Sequence, residues 1–152
     1  MQSAEAGNWQ RLADPAYAQR LHPNKKVDLP ALVQPGRCYH FRIAANPTVT
    51  RAGKRYGLLQ EDEQQGWLAR QGERCGVRVL EAVRGSSERL VVKQGRKGNR
   101  ITVPAVRFDG VLEATDPDAL RKALIGGIGH AKALGLGMLS IAPAGVQDCA
   151  IV

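Results

Sequence analysis

Apolar and polar positions fall into regular order from Arg37 onward. Tyr39, Phe41 and Ile43 alternate with His40, Arg42 and Ala44, a period of two that predicts a strand with one buried face. Ala45-Asn46-Pro47 ends it, and Thr50 to Gly57 reads as a loop carrying Arg51, Lys54 and Arg55. Glu61 to Arg74 offers helix formers with acidic residues early and arginines late, a polarity that suits the helix dipole. Trp67 and Leu68 supply its apolar contact. Gly76–Arg84 and Arg89–Lys93 are strand-like, and Gln94 to Arg100 forms a cationic hairpin tip leading into Ile101-Thr102-Val103. Alternation continues through Val106, Phe108 and Gly110 into Val111-Leu112. Asp116-Pro117 gives an N-cap followed by proline at the first helical position. Leu120 and Leu124 then share one helical face, Gly126-Gly127 stops the helix, and Met138–Ala142 forms a last apolar strand ending at Pro143. The order predicts an α+β, ferredoxin-like β-α-β-β-α-β domain with an inserted basic β-hairpin and a C-terminal glycine-rich loop.

The remaining segments lack such periodicity. Residues 1–28 are polar and punctuated by proline; 29–36 hold Pro30 and Pro35 around a short apolar stretch, which predicts an extended linker; 144–152 form a tail. At 152 residues the chain suits one domain, or one domain plus part of another. No apolar run approaches the ~20 residues that span a bilayer, and no basic-then-apolar leader opens the sequence, so a cytoplasmic location without membrane contact is expected. Cys38, Cys75 and Cys149 are odd in number and widely spaced. That pattern predicts reduced thiols rather than a disulfide framework or a metal knuckle.

Charge sharpens the picture. The net charge of +8 is concentrated in two segments. Residues 29–60 contain Arg37, Arg42, Arg51, Lys54 and Arg55 with no acidic residue, and residues 85–110 contain Arg89, Lys93, Arg96, Lys97, Arg100 and Arg107 against Glu88 and Asp109. Clustered cations of this kind attract polyanions in a salt-dependent way. Between the last helix and last strand, Gly126-Gly127-Ile128-Gly129-His130-Ala131-Lys132-Ala133-Leu134-Gly135-Leu136-Gly137 places backbone N–H groups where an anion can approach, beside one lysine. The dinucleotide fingerprint would need glycine where Lys132 stands, and no glycine precedes a Lys-Ser or Lys-Thr pair as a P-loop requires. Nucleic acid is the better candidate anion.

Taken together, Gly127 through Pro143, the strand Phe41-Arg42-Ile43-Ala44-Ala45-Asn46-Pro47, and Phe108-Asp109-Gly110-Val111-Leu112 resemble the CasE family of CRISPR-associated endoribonucleases, in the RAMP superfamily. The resemblance covers residues 1–143. It implies two tandem ferredoxin-like domains, binding of a CRISPR repeat-RNA hairpin, metal-independent cleavage leaving a cyclic phosphate, no cofactor, and membership of a multisubunit CRISPR surveillance complex. Residues 1–28 then correspond to the residual end of the N-terminal domain and 37–143 to the C-terminal RNA-binding domain. By the same resemblance Lys132, Gly129 and Gly135 contact RNA phosphate, with His130 a further loop contact. Arg96, Lys97 and Arg100 lie against the stem, and Arg42, Arg51, Lys54 and Arg55 belong to the basic strand-and-loop region.

The family's cleavage histidine stands on the first helix of its first domain, and this sequence is expected to begin near that domain's last strand. Metal-free RNA scission needs a base and an acid, roles that histidine fills well. His22 reads as solvent-exposed, His40 as structural and His130 as a phosphate contact, so no catalytic residue is assigned and RNA binding is the expected property. With 5% aromatic content, recognition by shape and phosphate is expected over base stacking. The alternative is a non-catalytic protein-interaction subunit of a ribonucleoprotein complex, using the same basic surface on an acidic partner.

Overall fold

A computed structural model describes residues 26–94, 99–145 and 148–150. In chain order these form α1 (Leu29–Leu32), β1 (Cys38–Ala45), β2 (Thr48–Arg51), β3 (Lys54–Gly57), α2 (Glu61–Arg74), β4 (Val77–Gln94), β5 (Asn99–Ala114), α3 (Pro117–Gly126), a 3-10 turn at Lys132–Leu134, β6 (Leu139–Pro143) and a second 3-10 turn at Asp148–Ala150. The main sheet runs β4-β5-β1-β6, every pairing antiparallel. Setting aside the β2–β3 hairpin, this is the β-α-β-β-α-β order of a ferredoxin-like domain. No described helix is long and apolar enough to cross a membrane.

Alternation along β1 does what it predicts. Tyr39, Phe41, Ile43 and Ala45 point to the helix side and join Trp67 and Leu68 of α2, Leu120, Ala123 and Leu124 of α3, and Val106, Phe108 and Leu112 of β5 in one core. His40, Arg42 and Ala44 face outward. Asp116 caps α3 by accepting hydrogen bonds from the Asp118 and Ala119 amides, satisfying donors that have no partner within the helix.

Three local expectations are corrected. The segment read as an extended linker holds a helical turn, Leu29–Leu32, capped by Asp28, with Val33 fully buried. Tyr39 ties it down: its hydroxyl donates to the Leu32 carbonyl at 2.7 Å and accepts from the Gln34 amide at 2.9 Å. The basic loop of residues 50–57 is a hairpin, β2–β3, whose turn residues Ala52 and Gly53 both have positive φ. The two strands expected either side of Gly85 are one strand, β4, which keeps pairing with β5 through irregularities at Val79/Glu81 and Arg84/Ser87.

The second irregularity marks a change of structure. β1 pairs with β5 only between Val106 and Glu113, whereas β4 pairs with β5 as far as Gln94↔Asn99. Beyond Ser87↔Val106 the sheet therefore continues as a two-stranded ribbon.

Candidate nucleic-acid interface

The glycine-rich loop leaves α3 and returns to the sheet at β6. Its frame is built by backbone bonds: the Gly127 amide donates to Ala123 at 2.8 Å, Ile128 to Gly137 at 2.7 Å, and Gly137 to Ala44 at 2.7 Å. Ile128, Leu136 and Gly137 are buried, while His130, Lys132, Ala133 and Gly135 are exposed. Gly129 sits against the Trp67 ring, where an added Cβ would meet Cζ2 at 3.0 Å. One edge of the loop is thus anchored in the core and the other is open.

Between these edges Gly129 and Ala131, both half-buried, have positive φ. The amides of Gly129, His130 and Ala131 have no protein partner among the described residues, and alternating backbone of this kind makes a small anion-binding concavity. Lys132 differs from the simplest expectation. Its Nζ donates to the Gly126 carbonyl at 2.7 Å, so the ammonium caps the last turn of α3, where a cation is favoured. The side chain remains exposed, leaving its other donors facing solvent. Its positive charge also reaches Cys75: burial raises the Cys75 pKa, and Lys132 and Arg74 partly oppose that rise.

Register places the other basic elements near the loop's return point. Gly137 bonds to Ala44, Leu139 pairs with Ile43, and β2 starts at Thr48, just after β1. Ala45 pairs with Val106, where the ribbon departs. The base of the β2–β3 hairpin packs on the ribbon, because a Cβ at Gly57 would meet Pro104 at 3.0 Å. The two sequence segments holding the excess charge therefore meet at one end of the sheet. Lys54 and Arg55 are exposed, as is Arg100 on the ribbon. Arg51 reaches Glu63 at 3.7 Å. Arg96 and Lys97 lie outside the described residues.

Arg42 stands apart from that cluster, on the outer sheet face. It is 63% exposed and bonds Asp109 at 2.5 Å, and Arg107 reaches the same carboxylate at 2.6 Å. The Arg107 hydrogen bond is the main cause holding the Asp109 carboxyl below its ordinary range, with Arg42 adding to it, and the same bond raises Arg107. Two guanidinium groups on one carboxylate leave net positive charge there. Sequence reasoning missed Arg107 and Asp109 as a unit, although their i, i+2 spacing on a strand puts both on one face. Of the histidines, His22 lies outside the described residues, His130 is on the open loop edge, and His40 Nε2 is 3.2 Å from Asp148. Among the described residues no group of acidic, histidine or cysteine side chains is arranged to hold a metal ion.

A family model described as CRISPR associated protein matches residues 1–143. The CRISPR-associated endoribonuclease Cse3 of Thermus thermophilus is 38% identical over 155 residues, covering 94% of this chain and 72% of the relative. The chain belongs to the CasE/Cse3 family of CRISPR-associated proteins. The CRISPR system Cascade subunit CasE of Escherichia coli is 35% identical over 125 residues, covering 73% of this chain and 61% of that subunit. A solved structure of CRISPR endoribonuclease Cse3 bound to a 19-nucleotide RNA superposes with a TM-score of 0.80 at 36% identity, over 92% of this chain and 70% of that one. Family membership accounts for the mixed fold.

Proposed function

We propose that this chain binds the hairpin of CRISPR repeat RNA through phosphate contacts, and does so within a multisubunit surveillance complex. The observation that carries this reading is the meeting of the β2–β3 hairpin, the β4–β5 ribbon and the return of the glycine loop at one end of the sheet, where Lys54, Arg55 and Arg100 are exposed. The relatives support it, one being an endoribonuclease seen with RNA and the other a Cascade subunit. The unpartnered amides of Gly129, His130 and Ala131 supply donors for phosphate oxygen without base preference. Cations on the ribbon act on the stem backbone, since the narrow major groove of A-form RNA hides base edges from side chains.

Binding is the property assigned to this chain, and cleavage is not. Two-group acid–base scission requires a base and an acid that both reach the reacting ribose and phosphate. His40 is engaged with Asp148 and His130 has no charged side-chain partner among the described residues. Residues 1–28 as the end of a first domain and 37–143 as the RNA-binding domain remain part of the same proposal.

The test is a titration of a labelled repeat hairpin at several salt concentrations. Salt-sensitive association is expected. Lys132→Ala weakens it and lowers the salt slope by about one, the step that removal of a single lysine–phosphate interaction produces. Binding that ignores salt and the substitution overturns the reading. Efficient cutting by this chain, abolished by His40→Ala or His130→Ala, overturns the assignment of binding alone.

A further inference from the structure

The outer face of the sheet carries charged side chains: Arg78 and Glu113 pair there, as do Arg42, Arg107 and Asp109. Two residues on this face break the pattern. Cys38 precedes Tyr39, whose side chain enters the core, and pairs in register with Glu113; Val111 pairs with His40. Both therefore point outward. Yet Cys38 is 3% exposed and Val111 6%, and neither belongs to the core on the helix side. The cover comes from the C-terminal segment. The Ala144 amide donates to the Cys38 carbonyl at 3.1 Å, the Gly145 amide to Asp148 at 2.9 Å, and the turn Asp148–Ala150 packs against β5. Cys149 is bonded to Cys38, with Cα atoms 5.8 Å apart, and Asp148 faces His40 at 3.2 Å. This pairing corrects the expectation of three reduced thiols.

We propose that Cys38 and Cys149 form a reversible redox site, a latch that fastens the C-terminal turn over β1 and β5 when oxidised and lets it lift when reduced. In the oxidised form Cys149 is half-buried while Cys38 is enclosed, so Cys149 is the sulfur that a reducing thiolate reaches first, and oxidation retraces that path through the same mixed disulfide. With a low-molecular-weight disulfide such as oxidised glutathione as oxidant, the Cys149 thiolate attacks one sulfur and expels one glutathione thiolate. The Cys38 thiolate then attacks Cys149 Sγ, forming the protein disulfide and expelling the second. Two protein thiols give up two electrons and two protons, and one small disulfide becomes two thiols. Lifting the turn uncovers Cys38 and Val111 and releases His40 from Asp148, so the outer face changes from closed to partly apolar. The inference stands on this geometry and not on the RNA-binding reading.

The experiment equilibrates the full chain with oxidised or reduced glutathione and reads it two ways. Peptide mapping of the oxidised sample is expected to show a Cys38–Cys149 linked pair with Cys75 free, and the reduced sample three thiols. Hydrogen exchange of the segment holding the Ala144, Gly145 and Asp148 amides is expected to be about tenfold slower when oxidised. Cys149→Ser removes that difference, and Cys75→Ser keeps it. A stable glutathione adduct on Cys149 without the Cys38 link, or equal exchange in both redox states, overturns the proposal. Because Cys38→Ser touches an enclosed position, Cys149→Ser is the decisive variant.

Discussion

Gly137→Ala is the most informative single change to the loop, because Gly135 provides a matched control. Both residues have positive φ, +85° at Gly137 and +80° at Gly135, so alanine at either pays about 1–2 kcal/mol for left-handed backbone. Their surroundings differ. A Cβ at Gly135 meets nothing within 4 Å, whereas at Gly137 it would overlap the Ile128 carbonyl oxygen. That atom is backbone, held by a buried loop, and cannot swing aside as a side-chain end would. Relief requires moving Gly137 away from Ile128, which strains the Ile128-to-Gly137 and Gly137-to-Ala44 bonds, both 2.7 Å. At about 1 kcal/mol net per bond, Gly137→Ala costs about 2 kcal/mol more than Gly135→Ala. For a chain of this size each kcal/mol corresponds to about 2–4 °C in Tm, so thermal melts followed by circular dichroism should separate the two by about 4–8 °C. Urea titration with an unchanged m-value checks that stability alone has moved. If the two variants melt within about 1 °C of each other, a separation that corresponds to well under 1 kcal/mol, the loop is not fastened to β1 in the way described.

Two further substitutions test the core and the outer face. Gln64 of α2 is buried and ties the connection before that helix to β4, donating to the Leu58 carbonyl at 2.9 Å and accepting from Arg84 Nε at 2.8 Å; Gln64→Leu strands both partners and is expected to lower stability by about 2–3 kcal/mol in urea unfolding, with a loss under about 0.5 kcal/mol contradicting the bridge. Because Asp109 has a lowered pKa in the folded state, chiefly through Arg107, its contribution is present above the unfolded value of about 3.9 and is lost as pH falls through the lower folded value. Asp109→Asn should flatten the acid limb of stability against pH below about 4, by less than about 1 kcal/mol for a solvent-screened pair; an unchanged limb would show that the pair does not bind more tightly in the folded chain.

Much of this fold is legible in the sequence wherever one residue type carries one physical duty. Asp116-Pro117 opens α3 and the glycine pair ends it; acidic and basic ends bracket α2; alternation in β1 sorts core from surface. What escapes is whatever depends on long-range closure or on an unusual local choice. The β2–β3 turn uses Ala52 at φ +48°, where asparagine or glycine would have announced a hairpin. Gly85-Ser86-Ser87 looks like a break, yet the ladder absorbs it as an irregularity and β4 runs on. The candidate site shows the same division. Clustered charge identifies the basic segments, but their meeting at one sheet end follows from register, and no pattern along the chain says that Lys132 reaches back to Gly126. The link between Cys38 and Cys149 joins positions 111 apart and has no local signature at all.

The ribbon beyond Ser87↔Val106 has a mechanical consequence. From Ser87 to Gln94, at about 3.3 Å of rise per residue, it extends roughly 25 Å, supported at its root and braced near it by the β2–β3 hairpin at Pro104. It is a cantilever. A tilt of about 10° at the irregular root, of the kind such bulges admit, would carry the far end about 4 Å, close to the spacing between neighbouring strands. Small changes of angle where the strands leave the sheet thus become large changes of reach, made without altering the core.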